Sequence, residues 1–319
     1  LFAGGAFFDG RATGHQLGLP LADQALGPFV NPVEMALPHA VCVVQRACAA
    51  SYAGAMKNIW GPEICALPVA TDLTADCRNP DAKITIEDKA LEERVNSAYR
   101  AIALSIAAYE GSAEVNRFAA PIDRYLAGKA PLGAAAERGL ALFNGKAGCS
   151  ACHSLAIGPE GSGPLLTDFT YSNLGVPKNP ANPWYEQQKF NPEGAEWIDR
   201  GLGATLGKDP VYVAYAAENM GAQKVPTLRN LTKRITPDTE RAYMHNGYFK
   251  TLEGLVHFLN SRDRLPRCQE ALTEAEALAA ACWPAPEVEA TMTRQIGDLG
   301  LSPEEEAELV AFLRTLDDD

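Results

Sequence analysis

Residues 148–154 read GCSACHS, and within them Cys149, Cys152 and His153 bring two thiols and an imidazole into five positions. A Cys-x-x-Cys-His run is the attachment sequence of a c-type haem. The thiols add to the vinyl groups and the imidazole ligates the iron, so the spacing follows from where the vinyls sit relative to the axial nitrogen. Two other readings compete, a redox cysteine pair and half a zinc site. The first wants a βαβ setting and the second two more ligands nearby, and the surrounding sequence offers neither. One such motif occurs in 319 residues, so the motif alone implies one haem c in this chain.

Six cysteines remain, at 42, 48, 65, 77, 268 and 282. An even number of further cysteines beside a covalent haem implies disulfides and a compartment outside the reducing cytosol, such as the bacterial periplasm. If residues 39–57 are helical, Cys42 and Cys48 stand about 9 Å apart along the axis, too far to bridge. They then pair with Cys65 and Cys77 in one of two ways. Cys268 and Cys282 close a loop of about 15 residues, which stabilises by about 3 kcal/mol in the chain-entropy model.

These residues need elements to position them. Residues 1–38 are rich in Gly and Pro and read as ordered loop, whereas 39–60 and 87–111 carry apolar residues at helical spacing. PEICALPVATDLTADCRNP between them reads as a cystine-stapled loop. AGKAPLG, 127–133, has linker composition and divides the chain into domains at 1–130 and 131–319. AAAERGLALF then predicts a helix leading into the haem motif. At the far end, Ser302, Pro303 and Glu304–Glu306 supply an N-cap, a first-turn proline and acids at the positive end of a helix dipole. A helix before the motif and another at the C-terminus, joined by long loops, is the layout of a class I cytochrome c. The fold class is mostly α, with few strands.

No apolar run reaches the roughly 20 residues of a membrane helix. The net charge of -12 argues against a nucleic-acid partner and suits a basic redox partner through steering. The chain begins at Leu1 without a signal peptide and reads as a mature or trimmed product.

The segments FFDGRATG, LADQALGPFVNPVEMAL, KVPTLRN and AYMHNGYFKTLEGLVHF, in that order, resemble the bacterial di-haem cytochrome c peroxidase family, especially its MauG-like branch. The resemblance spans nearly the whole chain and implies two cytochrome c-like domains. It also implies a second haem on an N-terminal segment ahead of this chain, the first domain here lacking its haem-attachment segment. By resemblance Gln24, Pro28 and Glu34 line the open face of that haem, where Glu34 would relay a proton between the peroxide oxygens. Without the family context Glu34 reads as a surface acid and Gln24 as a loop stabiliser. Electrons would come from a small cytochrome c or cupredoxin through the haem on His153. A MauG-like enzyme would instead oxidise residues of a partner protein, and a carrier would do neither. A homodimer is an open option.

Several positions depart from the family. Phe8 stands where many relatives carry a tryptophan between the haems, and Trp197 is a second candidate relay, although packing explains either residue equally well. Glu240 and Ala242 replace the usual Thr and Pro where relatives bind calcium partly through carbonyls. Relatives place an axial Met or Tyr 14 residues after His245, and here that position is Leu259, which has no lone pair. The sixth position at the His153 iron is then open, with His257 and Met244 as alternative ligands. His245 is expected to hydrogen-bond at a domain interface, whereas His15 and His39 read as satisfied polar residues.

Overall fold

A computed structural model of the chain describes residues 2–68, 76–158, 161–233, 236, 239 and 241–318. It divides into two units, one formed by Gly5–Phe7 and Ala12–Asn116, the other by Leu1–Gly4, Phe8–Arg11 and Arg117–Asp319. AGKAPLG lies within the sequence of the second unit.

The first unit holds helices α1 (Pro20–Ala25), α2 (Gly27–Val30), α3 (Ala40–Ala49), α4 (Ala53–Trp60) and α5 (Lys89–Glu110). Two of these correct the expectation of loop through residue 38. Their signal was the prolines: Pro20 opens α1 and Pro28 sits in the first turn of α2, where a missing N–H leaves no bond unmade. The helix expected over 39–60 is also broken. Ala50 turns extended, at φ -77° and ψ 160°, and Ser51 and Tyr52 form a turn before α4. Serine competes for backbone hydrogen bonds and is at home in such a break.

His39 caps α3 by accepting the Val41 amide on its imidazole, and Asp88 caps α5 by accepting the Ala90 and Leu91 amides. The apolar faces of α3 and α5 meet through Val41, Val44, Val95, Ala98 and Ile102. Disulfides Cys42–Cys77 and Cys48–Cys65 tie α3 to the following segment, which decides between the two open pairings. Cys268 pairs with Cys282.

The second unit holds α6 (Pro121–Leu126), α7 (Ala134–Asn144), α8 (Gly201–Leu206), α9 (Leu252–Ser261), α10 (Glu274–Ala280) and α11 (Pro303–Leu313). AGKAPLG joins α6 to α7. Ser302 is the expected N-cap of α11, and with Glu305 it closes a capping box. Helix α7 crosses α11 so closely that a Cβ on Gly139 would stand 2.0 Å from the Glu308 carbonyl oxygen. Any larger residue there would force the helices apart. Phe143 and Phe312 fill the crossing at 5.0 Å between ring centres, and Phe249, Phe258 and Trp283 continue the core. Regular strand among the described residues is a ribbon of β1 (Tyr171–Ser172) and β2 (Gln223–Lys224), antiparallel, with Tyr171 opposite Lys224. The architecture is mostly helical, as the apolar spacing predicts.

Candidate functional site

Helix α7 ends at Gly145, and Gly148, at φ 64°, starts a short turn that carries Cys149, Cys152 and His153. These are the two free cysteines, the other six being paired. Burial pushes the Cys149 thiol up to about 11, and burial followed by the Asp168 charge raises Cys152. Both are neutral thiols, the opposite of the lowered thiolates of a redox pair.

The imidazole of His153 is held from behind: Nδ1–H donates to the Leu166 carbonyl at 2.9 Å. That bond selects the tautomer whose Nε2 carries the lone pair a metal would take, and burial lowers the ring's pKa, opposed by the Leu166 carbonyl, the Asp168 charge and the Pro226 carbonyl. Two unpaired thiols and an oriented, neutral imidazole are the donor set that a c-type haem requires.

Leu166 is in turn positioned by KVPTLRN. Thr167 donates to the Val225 carbonyl at 2.6 Å, Thr227 to that of Leu165 at 2.7 Å, and Arg229 Nε to that of Pro164 at 2.9 Å. Arg229 also grips Asp123 of α6 with two bonds of 2.6 and 2.7 Å and stacks over Phe118 at 4.7 Å. Leu166, Arg229 and Asp123 were not among the sequence candidates. Of the three only Arg229 lies in a singled-out segment, KVPTLRN; Leu166 acts through its backbone carbonyl, which carries no residue signature.

The AYMHNG segment is a tight turn. The His245 ring lies 3.3 Å from Glu287, Asn246 donates to the Pro177 carbonyl at 2.8 Å, and Met244 takes a left-handed φ of 68°. The partner of His245 is therefore within its own unit. Met244 and Leu259 pack against the main core, while His257 faces Glu306 of α11 at 3.1 Å. Trp197 packs edge-on against Trp184 at 6.1 Å and near Tyr185 at 6.5 Å. Phe8 is exposed, 6.5 Å from the His245 ring, and its carbonyl accepts the Lys224 amide. Glu240 lies outside the described residues.

Gln24, Pro28 and Glu34 all belong to the first unit. Gln24 is half-buried on α1 and Pro28 lies in α2; the chain then turns back, the Met35 amide bonding to the Pro28 carbonyl at 3.1 Å and that of Leu37 to Phe29 at 2.9 Å. Glu34 stands on that turn with an exposed carboxylate that accepts from Asn31 at 3.0 Å. Asp23 is buried and takes the Gln16 and Leu17 amides, fixing the preceding loop.

Residues 1–131 match the family model described as di-haem cytochrome c peroxidase. Over these residues the chain is similar to this family. It is 33% identical over 235 residues to cytochrome-c peroxidase IdrP1 of Denitromonas iodatirespirans, which covers 70% of this chain and 50% of that protein. Methylamine utilization protein MauG of Paracoccus denitrificans is 28% identical over 320 residues, 99% of this chain and 68% of that protein. The crystal structure of the diheme peroxidase BthA from Burkholderia thailandensis superposes with a TM-score of 0.65 and 26% identity over 99% of this chain and 66% of that one. The chain thus spans half the length of IdrP1 and about two thirds of the other two. Family and motif together imply haem c as the cofactor, and among the described residues no helix is long and apolar enough to cross a membrane.

Proposed function

We propose that the protein is a periplasmic haem oxidoreductase that reduces hydrogen peroxide with electrons taken from a small cytochrome c or cupredoxin. The observation that carries this reading is the free Cys149 and Cys152 beside a His153 ring held by Leu166, in a chain whose other cysteines are oxidised. A haem held there would supply one-electron chemistry and the entry point for the donor's electrons. The chain's own contribution at that site is positional. Leu166 keeps a proton on Nδ1 and so keeps Nε2 available, and the bonds from Thr167, Thr227 and Arg229 hold Leu166 still.

Peroxide would react beside Gln24, Pro28 and Glu34, on a second haem of the kind the family name describes. Glu34 has the chemistry for a proton relay: its carboxylate reaches solvent, and Asn31 fixes one oxygen and leaves the other to accept and return a proton. Gln24 offers an amide to hold the oxygen that leaves.

Similarity to MauG along almost the whole chain supports a second reading, in which the oxidising power is spent on residues of a partner protein. Reduced cytochrome c mixed with the full gene product and peroxide tests the first. Peroxide-dependent oxidation of the cytochrome at turnover rates supports it. Haem content of two per protein with no such turnover would shift the reading to MauG-like chemistry. One haem and no turnover would make the protein a carrier.

A further inference from the structure

In DPVYVAYAAENM, residues 209–220, two tyrosines and a glutamate follow one another at intervals of three, at 212, 215 and 218. Two short helical turns of the tighter, three-residue type carry them, Tyr212 standing at the N-cap of Val213–Tyr215, Tyr215 at its end, and Glu218 within Ala217–Asn219. In such turns residues i and i+3 eclipse, so all three side chains share one face.

That face bounds a cavity of about 430 Å³ lined by Phe2, Tyr171, Tyr212, Tyr215, Glu218 and Asn219, all within the second unit. The rings are set as walls: Phe2 stands 5.8 Å from Tyr212 at 88° and 5.7 Å from Tyr215 at 73°. The floor is firm, because Phe2 and Tyr171 pack on a small core of Leu202, Leu206 and Ala222, and the Tyr171 hydroxyl donates to the Gly4 carbonyl at 2.6 Å. The Asn219 amide is occupied by the Tyr215 carbonyl at 2.9 Å. Glu218 is exposed, and among the described residues no hydrogen bond or ion pair engages its carboxylate. Aromatic faces present negative potential, and a carboxylate at the rim adds a full charge.

We propose that this cavity binds an organic ammonium group, its methyl or methylene hydrogens against the four rings and its charge balanced by Glu218. The same chemistry is offered by a free quaternary amine and by a lysine side chain of a basic protein, which a chain of net charge -12 would attract. The site is separate from the haem motif and does not depend on the reaction proposed above.

The test is calorimetric titration of the purified full chain with choline chloride and, in parallel, with its uncharged isostere 3,3-dimethylbutan-1-ol. Choline should bind, and the alcohol should bind at least about tenfold more weakly. Tyr215→Ala and Tyr212→Ala should each weaken choline roughly tenfold, Glu218→Gln a few-fold, and Tyr212→Phe hardly at all. Tyr212 and Tyr215 are 40% and 48% exposed and lie outside the buried core, so their removal should leave it intact, and an unchanged circular dichroism spectrum checks this. A lysine-rich peptide then separates the sources: tighter binding than choline assigns the site to a protein partner, weaker binding to a free amine. Equal affinity for choline and the alcohol, no binding of choline, or choline affinity indifferent to Tyr215→Ala would each overturn the proposal.

Discussion

His153 and Leu166 are joined by a 2.9 Å hydrogen bond from imidazole Nδ1 to a main-chain carbonyl, the Leu166 side chain being wholly buried. Since the acceptor is backbone, no substitution of Leu166 removes it directly. Covalent attachment offers the sharper check. Residues 1–319 alone should keep one haem through denaturing electrophoresis, and Cys149→Ala with Cys152→Ala should lose that stain, whereas a gene product with two haems should lose half of it. Undiminished stain in the double variant would place the attachment elsewhere in the protein.

Glu34→Ala should leave haem content and fold unchanged, because the side chain is exposed and bonded only to Asn31 among the described residues. Peroxide turnover should fall by about 10² to 10⁴, the usual loss of a general acid-base group. Stopped-flow rates with reduced cytochrome c measure it. Unchanged turnover would make Glu34 a surface acid.

Arg229 and Asp123 are 106 residues apart in sequence and nearly buried, with side-chain exposures of 10% and 11%. Removing one charge strands the other, which for buried pairs costs about 3 to 5 kcal/mol. Asp123→Ala should therefore lower the unfolding free energy by about 3 kcal/mol or more in chemical denaturation. It should also broaden the haem spectrum by loosening the Pro164–Thr167 segment.

His39 accepts the Val41 amide at the start of α3, a role open only to the neutral ring. Burial lowers its pKa from 6.5, and Glu92 opposes this more weakly. Because the folded value is depressed, the cap's contribution is fully present above pH 6.5 and declines as pH falls from there through the folded value. His39→Asn should keep the cap and flatten that part of the stability profile, whereas His39→Ala should cost about 1 kcal/mol at neutral pH. Thermal melts between pH 5 and 8 compare the three proteins.

His257 is engaged by Glu306 on α11, which favours the open sixth position over ligation by this residue. Electron paramagnetic resonance of the ferric protein should be the same in wild type and His257→Ala. A low-spin signal lost in that variant would show that His257 swings to the iron. A low-spin signal lost in Met244→Ala would instead assign the thioether.

Some of this was legible from local spacing alone. Cys149, Cys152 and His153 sit within five residues, so their geometry is set by the haem they would bind and needs no distant partner. Helices α5, α7 and α11 follow from apolar periodicity and from caps at Asp88 and Ser302, which act within one turn. The proline signal for α1 and α2 was also local, but it lay in a stretch whose glycines argued for loop.

Tertiary structure decided what depends on distant chain meeting distant chain. Cys42 and Cys48 could each have reached Cys65 or Cys77, and only the packing of α3 selects Cys77 for the first and Cys65 for the second. His245 had a motif but no partner until Glu287 came within 3.3 Å. Phe2 carries no sign in the sequence that it closes a wall against Tyr212 and Tyr215, more than 200 residues on. The physical reason is common to all three: spacing along a helix or a turn is enforced by backbone hydrogen bonds over a few residues, whereas these partners are chosen by burial of side chains whose sequence separation leaves no periodic trace.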